Sequence, residues 1–388
     1  MNLPLNHQKE RSHLGIYLHI PFCVSKCGYC DFYSREDFSE TTLQAYAERM
    51  CRELVVWSEP LSHTEISSVY LGGGTPSLLS VPAVEKLLQT IGAYFHLEPN
   101  AEISLEANPA SLHSNKIVGY RQAGINRISV GAQSFWDKEL QLLGRIHRAE
   151  DIEETVNSLC RGGIDNFNLD LIYGLPGQSE RDFAVSLRRA VSLAPQHLSL
   201  YLLQMDAEVP LARRIAAGFL ILPDDAVVSN MYYSARDFLS AAGYEHYEIS
   251  NWAQPGYQCR HNLLYWHGEP YLGIGSSAVS FLYNQRWQAA PDYSSFMNLQ
   301  RTWEDRVVLE ELSTEDLLLD YLLMGLRLKE GIDKAEMVCR FGVQAWTGYQ
   351  ERLQECERLG LLQVQDDRWY LSERGLFISN QVFVRLLS

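Results

Sequence analysis

Apolar positions in the first half of the chain switch repeatedly between two periods. Short runs dense in Val, Ile, Leu and Tyr occur at 15–22, 67–71, 101–106, 127–131, 167–172 and 198–203, and such runs read as strands buried on both faces. Between them, apolar residues recur at helical spacing. In 39–58 these are Leu43, Tyr46, Ala47, Met50, Leu54 and Val55, and 151–161 and 180–192 follow the same rule. Six alternating strand and helix units predict an α/β fold with a parallel sheet covered by helices. No sequence repeat accompanies the structural one.

The pattern loosens from Pro210 to Pro223, and 224–242 predicts a further helix. A stretch dense in aromatic and histidine residues follows, from Tyr244 to Tyr271, and ends in Gly273-Ile274-Gly275. Gly-x-Gly alone does not make a nucleotide loop, so a turn beside a strand is the expectation there. After Leu312 come amphipathic helices at 314–329, 333–341 and 347–359, a hairpin at 361–371 and a final segment at 372–387. Three helices with a β-ribbon resemble a winged-helix-like α+β domain. The expected organisation is therefore a core at 1–209, an associated segment at 210–311 and a C-terminal domain at 312–388.

Composition narrows the function classes. The formal net charge of −15 opposes loose binding to nucleic acid or anionic lipid. The winged-helix-like unit carries Glu351, Glu355, Glu357, Asp366 and Asp367, which favours packing or partner docking over DNA and predicts no nucleic-acid partner. Residues 1–11 lack the apolar core of a signal peptide, and no run of about 18 apolar residues occurs. A cytoplasmic, reducing compartment is expected.

The first strand runs into Cys23-Val24-Ser25-Lys26-Cys27-Gly28-Tyr29-Cys30. Three thiols spaced C-x3-C-x2-C can hold three irons of an iron–sulfur cube and leave the fourth open to a reactant; clusters that only carry electrons use a complete set of protein ligands. A zinc knuckle would need a fourth ligand, and His19 lies upstream in a strand with poor reach. The other cysteines, Cys51, Cys160, Cys259, Cys339 and Cys356, show no paired spacing and are expected to be small buried hydrophobes. Polar residues Gly72 to Thr75, Glu106, Gln133, Asp170 and Gln204 all fall at or just past strand ends, the face on which parallel barrels carry chemistry. The glycines Gly72, Gly73 and Gly74 are expected to bring main-chain N–H groups close to a ligand.

The cysteine spacing, with Tyr29 just before the last thiol, resembles the radical S-adenosylmethionine (radical SAM) enzymes. In that family SAM chelates the open iron and an electron from the cluster cleaves it. The resemblance implies a partial (βα)6 barrel with a [4Fe-4S] cluster on Cys23, Cys27 and Cys30. It also implies SAM held by Tyr17, Tyr29, Gly73, Gly74, Thr75, Glu106, Gln133, Arg145 and Asp170. The longer string Tyr-Leu-His-Ile-Pro-Phe-Cys followed by Cys-Gly-Tyr-Cys-Asp-Phe is similar to the branch that contains oxygen-independent coproporphyrinogen III dehydrogenases and heme chaperones. The dehydrogenases carry a further Cys two positions beyond the triad, where this chain has Phe32, and an N-terminal extension for which few residues precede the first strand here. His261-Asn262-Leu263-Leu264-Tyr265-Trp266 matches the HNxxYW motif of the chaperones, for which heme binding is implied. Heme needs an axial donor, flat walls and a cation for its propionates, and His261, Tyr265 with Trp266, and Arg260 offer these; the alternative for the same stretch is core packing. The implied function is a heme chaperone serving a client hemoprotein, such as a membrane-bound respiratory enzyme reached by transient peripheral membrane association, with an electron donor for the cluster. Coproporphyrinogen dehydrogenation and radical SAM methyl transfer are the rival activities.

Overall fold

The computed structural model describes residues 13–298 and 306–387; the segment read as lacking a signal-peptide core lies outside them. The predicted strands form β1 (His13–Ile20), β2 (Glu65–Gly73), β3 (His96–Ala107), β4 (Arg127–Gln133), β5 (Phe167–Tyr173) and β6 (His197–Leu202), side by side and parallel in chain order. Helices α1 (Glu40–Ser58), α2 (Val81–Tyr94), α3 (Ser114–Ala123), α4 (Asp137–Leu143), α5 (Ala149–Gly162) and α6 (Glu180–Ser192) connect them. Local chemistry starts these helices where they start. Ser39 accepts from the Thr42 N–H ahead of α1, and Ser179 with Asp182 forms a capping box ahead of α6.

Alternate residues of each strand pack into one apolar core with the helices, among them Ile16, Leu18, Val69, Leu71, Leu105, Val130 and Leu169. The intervening positions are largely polar: Tyr17 and His19, Ser68 and Tyr70, Glu102, Ser104 and Glu106, Arg127 and Ser129, Asn168 and Asp170, His197 and Ser199. Side chains two apart point to the same face of a strand, so a curved sheet built this way is a partial barrel with a polar lumen. Pairing runs diagonally, Tyr17 with Tyr70, Tyr70 with Ser104 and Ser104 with Arg127, which staggers the lumen residues in the way a barrel requires.

The loosened stretch contains a helix the pattern does not announce, α7 (Pro210–Ala216), followed by α8 (Asp225–Ala241). Proline at its first position sets the entry of α7. The aromatic stretch then divides between the two ends of the sheet. β7 (Glu245–Glu248) and β8 (Asn251–Ala253) extend it beyond β6, and α9 (Arg260–Trp266) leads to β9 (Tyr271–Ile274), a further parallel strand on the other side of β1. β10 (Val279–Leu282), β11 (Gln285–Gln288), α10 (Tyr293–Asn298) and β12 (Val307–Glu311) follow, completing a twelve-stranded sheet. Trp57 of α1 stacks on Trp287 of β11 with ring centroids 5.4 Å apart.

The C-terminal part has its own core around Leu322, Met337, Trp346, Leu353, Trp369 and Leu386. It runs α11 (Thr314–Gly325), β13 (Ile332–Asp333), α12 (Lys334–Phe341), α13 (Val343–Arg358), β14 (Leu362–Gln365), β15 (Arg368–Leu371), α14 (Glu373–Phe377) and α15 (Ser379–Leu387). The final segment is thus two helices broken at Ile378. Asp366 and Asp367 turn the hairpin with φ of 52° and 60°, the primed geometry that matches strand twist. No helix of the described residues is long and apolar enough to cross a membrane.

Candidate functional site

The cysteine loop leaves the C-terminal end of β1 and is held by its backbone. Cys23 N donates to Arg35 O at 3.0 Å, Arg35 N to Pro21 O at 2.7 Å and Gly28 N to Leu143 O at 3.0 Å, while Leu211 N of α7 donates to Gly28 O at 2.8 Å. The thiols themselves stay free and partly exposed. Two donors are aimed at them: Thr75 Oγ1 at 3.7 Å from Cys23 Sγ, and the Arg145 guanidinium at 3.5 Å from Cys27 Sγ. A hydroxyl and a guanidinium thus stand within hydrogen-bond reach of two of the three sulfurs.

Among the described residues, one group brings three metal-ligating atoms within 4.8 Å of one another, and it is His13, Glu65 and Glu98 at the opposite ends of the strands. The three thiols do not all lie within 4.8 Å of one another, whereas the ligands of a single tetrahedral zinc sit about 2.3 Å from one metal. His19 cannot complete such a site, since its ring nitrogens meet Tyr17 Oη at 3.0 Å and Tyr33 O at 3.2 Å. Three free thiols on one loop, with a donor beside two of the sulfurs, fit a polynuclear cluster. The expectation for the other cysteines holds for Cys51, Cys259 and Cys356, which are buried, and fails for Cys160 and Cys339, which are exposed.

Beside the loop, the glycine run is built for close approach, though not in the way expected. A Cβ on Gly72 would lie 2.9 Å from the Tyr17 ring, and one on Gly74 would lie 2.7 to 2.8 Å from the backbone of Ile20 and Phe22. The Gly73 N–H donates to Glu106 Oε2 at 3.1 Å and the Gly74 N–H to Ile20 O at 2.8 Å. These two donors are used internally, and close packing against Tyr17, Ile20 and Phe22 is what Gly72 and Gly74 provide here.

Glu106 closes the row. It accepts from Tyr70 Oη at 3.0 Å as well as from Gly73. Burial, with the Asp170 carboxyl as the next cause, pushes it up to about 7. Asp170 accepts from Asn168 at 2.7 Å and Ser129 at 3.2 Å, and burial raises its carboxyl too. Arg145 also donates to Gly131 O at 2.8 Å, while its Nε has no partner among the described residues. Gln133 ends β4 at φ 65°, a left-handed conformation uncommon for a side chain of its size and often found where function demands it. Tyr29 packs with Leu143, Ile172, Leu175 and Leu211, and burial raises its hydroxyl. Two carboxyls, a guanidinium with an unsatisfied donor and aromatic walls suit a zwitterionic nucleoside, as SAM is.

Polar alternation was the signal that could have found Tyr70, Arg127 and Ser129, which strand-end reasoning passed over. A cation entering this lumen prefers an ionised Glu106. The affinity of the apo lumen for SAM should therefore rise as pH passes through about 7, and calorimetric titrations at a series of pH values check this; a flat profile would remove Glu106 from the site.

The aromatic motif is placed differently from the heme expectation. α9 closes the lumen from below, and His261 is buried. Its Nδ1 meets Ser68 Oγ at 2.8 Å and its Nε2 meets Tyr265 Oη at 2.9 Å, so neither nitrogen is free to ligate iron. Burial lowers its imidazole to about 3, Arg127 adding to the effect. Arg260 is held by Asn100 O at 2.7 Å and Glu98 at 3.0 Å. Trp266 faces the C-terminal part, with the Arg327 guanidinium 4.6 Å from its ring centre, and Asn262 is half-buried beside it on α9.

The chain matches the model of the radical SAM superfamily over residues 17–190 and that of the HemN C-terminal domain over 312–378. With the cysteine loop on a partial barrel, these matches define a radical SAM protein. Its structure superposes on Escherichia coli coproporphyrinogen III oxidase (HemN) with a TM-score of 0.83, at 22% identity over 97% of this chain and 90% of that one, which shows a shared fold. In sequence it is 36% identical to the heme chaperone HemW of Synechocystis over 83% of the chain and 79% of that protein. It is 34% identical to heme chaperone HemW of Escherichia coli over 97% and 98%, and 35% identical to that of Mycobacterium tuberculosis over 96% and 94%. The chain belongs to the HemW family.

Proposed function

We propose that this protein is a heme chaperone that holds a [4Fe-4S] cluster on Cys23, Cys27 and Cys30, binds SAM in the lumen, and passes heme to a client hemoprotein. The observation that supports it best is near full-length similarity to proteins named heme chaperone HemW, 34% identity over 97% of the chain in one case, together with an open three-thiol site. When bound and reduced, the cluster supplies the electron for cleaving SAM. Around it, Thr75 and Arg145 steady the sulfurs, Glu106 and Asp170 receive the cationic parts of SAM, and Tyr29 shields the loop. In this reading 1–209 forms the cluster and SAM core, 210–311 closes it, and 312–388 docks partners. The protein works in the cytoplasm with an electron donor, and meets membrane-bound clients at the membrane surface.

The test is anaerobic reconstitution with iron and sulfide, followed by hemin titration and a SAM-cleavage assay on the same sample. A Soret band that saturates with hemin is expected. Its absence, or the formation of protoporphyrinogen from coproporphyrinogen III, would overturn the proposal in favour of another activity.

A further inference from the structure

We infer that His261 is a positioning residue of the SAM site: it fixes Tyr70, whose hydroxyl sets the Glu106 carboxyl. The inference rests on the assignment of Glu106 to SAM made above.

The contacts form one continuous path. The His261 ring stacks on Tyr70 with centroids 5.2 Å apart and planes inclined by 24°, and Tyr70 in turn stacks on Tyr17 at 6.3 Å. Tyr70 Oη then donates to Glu106 Oε1 at 3.0 Å. The imidazole is itself held from both sides, by Ser68 on β2 and by Tyr265 one helical turn along α9. It has no room to move: a Cβ on Gly15 would come within 3.0 Å of the ring.

The helix that carries it is pinned in the same register. Glu102 accepts from the backbone N–H groups of Arg260 at 3.1 Å and His261 at 3.2 Å, and from the Cys259 thiol at 3.5 Å. The imidazole and the Glu102 carboxylate both have their partners, and buried polar groups held in this way specify one arrangement. The motif therefore acts as a rigid floor beneath the ligand chamber. An iron axial ligand needs a free nitrogen aimed at open space, and His261 has neither.

Glu106 is the group whose titration reports this arrangement. It is faced by Tyr17 of β1, Tyr70 of β2, Arg127 of β4, Asp170 of β5, Tyr201 of β6 and Tyr265 of α9. Loosening Tyr70 removes one hydrogen bond that favours the ionised carboxylate, so the Glu106 inflection should move up.

Reconstituted wild type, His261→Phe and Tyr265→Phe are compared in two titrations, SAM affinity against pH by calorimetry and hemin by the Soret band. His261→Phe should weaken SAM binding about tenfold, or about 1.4 kcal/mol, and displace the pH inflection upward, while the Soret titration matches wild type. Tyr265→Phe should move both SAM readouts in the same direction by less, and it decides the matter if the buried His261→Phe change prevents folding. Loss of the Soret band in a variant whose SAM profile is unchanged would make His261 a heme ligand and overturn the inference. So would weaker SAM binding at every pH with the inflection where it was, since that is damage to the fold alone. Wild type that binds no SAM would instead refute the SAM site itself, before any variant is considered.

Discussion

Replacing Cys23, Cys27 and Cys30 together by alanine should reduce bound iron and sulfide to background and abolish SAM cleavage, while the protein remains folded. The three side chains are the only sulfur donors the loop has, and the remaining cysteines are scattered. The loop's shape does not depend on them, because its anchors are backbone hydrogen bonds through Cys23 N, Gly28 N and Gly28 O. The thiols are half-buried and Arg145 keeps its bond to Gly131 O when Cys27 Sγ is lost. The cost in stability should therefore stay at about 1 kcal/mol. Metal analysis and denaturant unfolding of the apo proteins measure the two halves of the expectation. A variant that still binds stoichiometric cluster would show that the ligands lie elsewhere.

Gly74→Ala is expected to impair cluster loading without touching a ligand. The new methyl would sit 2.7 Å from Phe22 O, 2.8 Å from Ile20 O and 2.8 Å from Phe22 N. All three are backbone atoms, so no side chain can swing aside; the end of β1 and the root of the cysteine loop must shift. Overpacking of this kind costs about 1 to 3 kcal/mol, and here the displaced atoms lie next to Cys23. Reconstitution should yield a lower cluster content and a weakened protein on denaturant titration. Gly92→Ala in α2 is the matched control, since nothing lies within 4 Å of a Cβ there. That change should be neutral or stabilising by up to about 1 kcal/mol, as removal of glycine from a helix usually is. Equal behaviour of the two variants would remove the steric argument.

Much of the barrel could be read from the chain because both of its signals are local. The strands from His13–Ile20 to His197–Leu202 are short apolar runs, and α6 starts and ends where its caps put it. The cysteine loop is local as well, three thiols within one short loop between Cys23 and Cys30. What could not be read depends on partners distant in sequence. The sequence places a strand beside the turn at Gly273-Ile274-Gly275, but its standing as a seventh parallel strand, Tyr271–Ile274, is decided by pairing with β1. α7 took its place against Gly28, a contact no window of sequence contains. The glycine run was recognised as a close approach, but whether N–H groups face a ligand or the protein depends on where Glu106 and Ile20 lie. His261 shows the same limit most plainly. A motif identifies a residue as consequential, and only the positions of Ser68, Tyr70 and Tyr265 decide which of its atoms remain available.

The pairing of β1 has a consequence for the order of events during synthesis. β1 sits between β2 and β9, with Gly15 opposite Ser68 on one side and Tyr271 on the other. The strand that delivers the cysteines thus takes its two neighbours from opposite ends of the barrel sequence. While the ribosome is still adding the residues before Tyr271, one edge of β1 is unpaired and the floor at His261 has not yet been made. Long-range pairing of this kind is slow to form, and an open edge in an unfinished chain invites association with other strands. Iron and sulfide delivered early would meet thiols on an unsupported strand, so maturation of this protein belongs after β9 has been made, when both neighbours of β1 are in place.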